Sequence, residues 1–152
     1  MMKSVIAGLG LLGLAGVPAQ AAGDDVFAVV AEIPFADAAQ GVNEAIVNKG
    51  FKVDYHGFLG DMLKRTAGDV GATKELYKDA EFFTFCSAVV SRTVMEADIG
   101  DIAYCPYVVF VYEDAATPGK VTIGHRTLPE GGERGQVNDI LHDIVRTAAD
   151  GF

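Results

Sequence analysis

The sequence predicts an α+β domain, a two-layer arrangement in which a mainly antiparallel sheet carries its helices on one face, and three observations lead to it. Strand-like and helix-like segments follow one another in the order strand, helix, strand, short helical segment, strand, helix, strand, strand, helix. The two strand-like runs near the C-terminal end are separated only by a turn at 113–119 containing Pro118-Gly119, so they pair most simply as a hairpin. After Asp25 there is no internal repeat, low-complexity tract or linker, so one layered unit accounts for the rest of the chain.

Each element has its own signature. Residues 26–33 are β-branched and apolar, with Phe27, Val29, Ala31 and Ile33 on one parity and Glu32 on the other, which predicts a largely buried strand stopped by Pro34. Ala38, Ala39, Val42, Ala45 and Ile46 recur at spacings of three and four, an amphipathic helix with Asp37 as its N-cap and Gly50 as a left-handed C-cap. Phe51, Val53 and Tyr55 alternate with Lys52, Asp54 and His56, a half-exposed strand ending among Gly57 and Gly60. Residues 59–79 are polar and anchored only by Leu59, Met62, Leu63, Leu76 and Tyr77, two short helical turns broken at Gly68 and Gly71. Residues 81–85 are an aromatic strand, and Ser87 caps a helix carrying Val90, Val94 and Ala97 that ends near residues 98–100. Residues 107–112 are continuously apolar, as a central strand requires, and 120–126 form the other hairpin arm. Val137, Ile140, Leu141, Ile144 and Val145 make the clearest helical stripe, closing at Gly151.

Residues 1–21 have the layout of a secretory signal. Lys3 supplies the positive start, residues 5–17 are an apolar run too short to cross a bilayer core, which takes about 20 residues, and Ala19-Gln20-Ala21 is a small-x-small cleavage pattern. Cleavage after Ala21 leaves residues 22–152 as a single domain in the periplasm or an equivalent exported compartment, where disulfides persist. No later stretch is long and apolar enough to span a membrane. The chain carries 12 Lys plus Arg against 21 Asp plus Glu, a formal net charge of -9, which excludes a nucleic-acid binder because phosphate affinity needs clustered cations.

Cys86 and Cys105 are the only cysteines. Cys86 ends a strand just before a helix, where the positive end of the helix favours a thiolate, and Cys105 is held extended ahead of Pro106. If the two strands are antiparallel neighbours the sulfurs meet; if they are parallel the crossover keeps them apart. A structural disulfide, a working thiol pair and two buried reduced thiols all remain open readings. His56, His125 and His142 are the only histidines, and none has zinc-motif spacing with another. His56 sits on the polar parity beside a glycine-rich turn, and His125 shares parity with Val121 and Ile123. Together with Met62 and Cys86, His56 offers the imidazole, thioether and thiolate that haem or copper accepts. Arg65, Arg92, Arg126 and Arg134 are candidates to clamp an anion such as sulfite or thiosulfate. No paired-carboxylate, nucleophile-elbow or phosphate-loop pattern is present.

The block Tyr77-Lys78-Asp79-Ala80-Glu81, Phe85-Cys86-Ser87-Ala88, Tyr104-Cys105-Pro106-Tyr107-Val108-Val109-Phe110-Val111-Tyr112-Glu113 and Gly119-Lys120-Val121, with Gly50-Phe51-Lys52-Val53 ahead of it, resembles the domain-of-unknown-function family numbered 302 over most of residues 26–148. The resemblance implies a two-layer fold similar to the TATA-box-binding-protein-like architecture, a homodimer, no established general activity, and an exported bacterial setting associated with oxidation of reduced sulfur compounds. The family pattern often has Asn-Pro after the first cysteine; this chain has Ser87-Ala88, so no role of an Asn side chain carries over. The expected function is a non-catalytic exported carrier or binding protein for a small sulfur-containing or redox-active molecule, with His56, Cys86, Cys105 and Arg92 as the ligand-binding set. Two other readings stand beside it: a thiol-disulfide oxidoreductase with Cys86 as nucleophile and Cys105 as resolving thiol, and a haem or copper protein using His56, Met62 or Cys86.

Overall fold

Five strands build a single antiparallel sheet in the order β1-β5-β4-β3-β2. The computed structural model describes residues 25–151, so the predicted signal segment lies outside the described residues. The elements are β1 (Val26–Ala31), α1 (Phe35–Asn48), β2 (Lys52–Gly57), α2 (Leu59–Thr66), β3 (Tyr77–Cys86), α3 (Ala88–Ala97), a 3-10 helix (Ile99–Tyr104), β4 (Tyr107–Asp114), β5 (Val121–Arg126) and α4 (Arg134–Asp150). Register puts Phe83 opposite Val109, Val111 opposite Ile123, and His125 opposite both Val109 and Phe27. Directly paired residues point the same way. One face therefore presents Val53, Phe83, Phe85, Val109, Val111, Val121 and Ile123 to Ala38, Val42, Ala45 and Ile46 of α1 and to Val137, Leu141, Ile144 and Val145 of α4. Helices α1 and α4 thus share one face of the sheet, the two-layer α+β fold that the order of segments predicts. Among the described residues no helix is long and apolar enough to cross a membrane.

The continuous apolar run of β4 does occupy the centre of the sheet, and it pairs with β5 as a hairpin. The C-terminal end of α1 also agrees with its sequence signal. Gly50 has φ +82, and its N–H reaches the Val47 carbonyl at 2.8 Å while the Phe51 N–H reaches Ile46 at 3.3 Å, a Schellman closure. Ser87 caps α3, its Oγ accepting from the Val90 N–H at 3.3 Å.

Other boundaries differ, each for a tertiary reason. Asp37 is not the N-cap of α1. The Ala38 N–H already bonds the Pro34 carbonyl at 3.0 Å, so the helix begins at Phe35, and Asp37 sits in its first turn facing the positive end. β1 stops at Ala31 and is half-exposed, because among the described residues it is an edge strand with a partner on one side only. The 59–79 segment holds one helix, α2, and β3 starts at Tyr77, so this strand is twice the length that the aromatic run suggests. Its polar first half is held by β4, with a register shift between Tyr77 and Asp79.

α2 lies beside β3 where β2 has run out, since the last β2 pair is Gly57 with Phe82. The close approach is made at Gly60, where a Cβ would lie 2.8 Å from the Ala80 backbone nitrogen. Gly60→Ala is therefore expected to lower the unfolding free energy by about 1–3 kcal/mol, the usual cost of overpacking. Urea denaturation checks this; an unchanged midpoint would show that α2 shifts freely.

Candidate functional site

The antiparallel pairing of β3 and β4 decides the cysteine geometry. Phe85 pairs with Tyr107, so the end of β3 lies beside the start of β4, and Cys86 meets Cys105 across that junction. The two sulfurs are at disulfide distance, with Cα atoms 6.6 Å apart. Cys105 leads into a cis peptide to Pro106. Cys86 immediately precedes Ser87, the cap of the ten-residue α3, and so adjoins the end of the helix whose N–H groups favour negative charge.

Both cysteines are half-buried rather than sealed in the core. Beneath them, Ser91 Oγ lies 3.2 Å from the buried Tyr107 hydroxyl and 3.9 Å from Cys105 Sγ. On the elements between the two cysteines, α3 and the 3-10 helix, some apolar side chains stand in solvent: Val89 is 76% exposed, Ile99 83% and Ile102 65%.

His56 belongs to a different place. A bulge between Val53 and Tyr55 reverses the parity of β2, so Tyr55 turns outward and His56 turns to the core side opposite Phe83. Strict alternation predicts the reverse, and the bulge is the reason it fails. The His56 ring stacks on Phe83 with centroids 4.1 Å apart and tilts against Phe58 at 4.3 Å. Its Nε2 donates to Glu81 Oε2 at 2.6 Å. A carboxylate that fixes an imidazole in this way orients it for proton transfer or ligation. Glu81 was legible in principle, as an acidic residue on the same parity as Phe83 and Phe85.

The expected ligand set is not assembled around one point. Cys86 pairs with Lys52 and His56 with Phe83, three residues apart along β3, or roughly 10 Å at strand rise. Met62 stands on α2, its sulfur 3.9 Å from Thr66 Oγ1. The haem or copper arrangement of His56, Met62 and Cys86 therefore has no common centre, and among the described residues no group of three His, Cys, Asp or Glu is placed to hold a metal ion. Arg92 is engaged with Glu96 at 2.7 Å on an exposed face of α3. Arg134 faces buried Asp101 across 3.3 Å. These two are surface and core ion pairs rather than jaws of an anion clamp.

No family model matches the chain, and no curated protein matches it in sequence. Among solved structures it is similar to an uncharacterized conserved protein, DUF302, from Bacillus stearothermophilus, with a TM-score of 0.67 and 12% identity over 82% of this chain and 98% of that one. At that identity the likeness shows the fold, and it is the two-layer fold that the resemblance implies.

Proposed function

We propose that this is an exported protein acting on small sulfur-containing or redox-active molecules through reversible dithiol-disulfide exchange at Cys86 and Cys105. The observation that carries this reading is the half-buried cysteine pair at the N-terminus of α3. It favours the exchange reading over a sulfur carrier on one cysteine, because each sulfur already has the other as its partner. In the reduced protein the Cys86 thiolate attacks a substrate disulfide, giving a mixed disulfide and releasing one thiol after it takes a proton. The Cys105 thiolate then attacks Cys86 Sγ, releasing the second thiol and closing the Cys86–Cys105 bond. Two electrons pass from the protein to the substrate, and the described structure is the oxidised end state.

Equilibration in glutathione or dithiothreitol buffers, read by thiol alkylation and intact mass, tests the reading. A potential above about −300 mV is expected, and a lower one would identify a structural disulfide. Serine at Cys105 should leave a Cys86 adduct that the wild type does not accumulate.

A homodimer is proposed with it, supported by the sheet face opposite α1 and α4. That face carries Val30, Tyr55, Phe82, Val108, Phe110 and Tyr112. Phe82 lies over Gly57 and Phe110 over Gly124, where Cβ atoms would strike their rings, so the surface is flattened for packing. Sedimentation should show a dimer that Val108→Asp converts to monomer; a wild-type monomer at high concentration would overturn it.

A further inference from the structure

His125 is 0% exposed, yet its Nε2 has no hydrogen-bond partner. Its Nδ1 lies 2.9 Å from the Arg126 carbonyl, an acceptor only, so the Nδ1–H donates and the lone pair is left on Nε2. A histidine ligand to a metal is ordinarily held in this way, with the outer nitrogen donating to a backbone carbonyl and the inner lone pair free. The neighbouring ring is His142 of α4, its centroid 5.0 Å from that of His125, with Phe27 of edge strand β1 against both at 4.2 and 5.6 Å.

We infer that His125 Nε2 and the His142 imidazole form a two-histidine site for a transition-metal cation of the zinc and copper class, which imidazole nitrogen suits. The site is separate from the cysteine pair and from His56. His142 is half-buried and so opens the pair to solvent, which supplies the remaining ligands. Burial disfavours the charged form of each imidazole. Burial is the main cause of lowering His125 to about 4, against the opposing Arg126 carbonyl and with help from His142. Burial also lowers His142, followed by Arg146, with Asp139 opposing. The charged groups acting on the pair are thus Arg146 and Asp139 of α4, while Arg126 of β5 contributes only its backbone carbonyl. Arg146 stands over the Phe27 ring at 5.4 Å, and at His142 its charge outweighs the opposing Asp139 carboxylate.

Calorimetric titration of the purified protein with zinc chloride and with copper(II) chloride tests the site, keeping Cys86 and Cys105 oxidised so that thiolates do not compete. One equivalent is expected to bind. His142→Ala, at a half-buried position compatible with folding, should weaken binding by more than about tenfold, since loss of an outer-shell partner alone costs 10- to 100-fold. Nitrogen NMR of the wild type should show the His125 Nε2 resonance move on zinc addition, a readout that does not depend on any variant folding. Absence of binding, affinity retained in His142→Ala, or a His125 Nε2 resonance unmoved at saturation would each overturn the inference.

Discussion

Replacing Arg134 with alanine is expected to lower the unfolding free energy by about 3–5 kcal/mol, because it leaves a carboxylate in the interior without its counter-charge. The Asp101 side chain is only 3% exposed and that of Arg134 17%, with Nε 3.3 Å from Oδ2. The same guanidinium covers the Tyr104 ring at 5.7 Å and reaches the Pro129 carbonyl at 3.4 Å. It therefore fastens the first turn of α4 to the 3-10 helix that leads to Cys105. Urea denaturation measures the loss. Changing both partners together, Arg134→Met with Asp101→Leu, should recover most of it, since an apolar pair of similar volume has no charge to desolvate. A cost under about 1 kcal/mol for Arg134→Ala would place the pair with solvent-screened surface bridges instead.

Phe83→Ala should cost about as much, roughly 3–5 kcal/mol, through a cavity in the middle of the sheet. Phe83 is fully buried between Val109 and the α1 side of the core, and it forms the floor on which His56 stacks. Phe83→Leu keeps most of the volume and should cost much less. The comparison is made from denaturation midpoints at unchanged m-value, so that a change in the unfolded state is not mistaken for lost packing. If the two variants proved equally stable, the ring would not be a packing element.

Short-range signals hold where the chain's own chemistry sets the outcome. The Schellman glycine at Gly50, the Ser87 cap, the apolar run of β4 and the α4 stripe all depend on residues within a turn or strand of one another. Such signals give way where a neighbour distant in sequence takes over. Polar residues 78 and 79 are strand because β4 offers a ladder, and β1 is less buried because among the described residues no strand pairs with its outer edge. His56 exchanged faces with Tyr55 because one extra residue was accommodated opposite β3.

The sequence by itself determined the fold class, the antiparallel hairpin and the two cysteines as a candidate pair, because periodicity and turn chemistry are local properties. The tertiary structure decided whether those cysteines meet, which charged residues are buried and where each histidine points. Cys86 reaches Cys105 only because β3 and β4 run antiparallel as neighbours. His125 and His142 become a pair only because α4 crosses the β1 and β5 end of the sheet. The physical reason is common to both: contacts between residues far apart in sequence follow from strand order and register, which pattern along one segment does not encode.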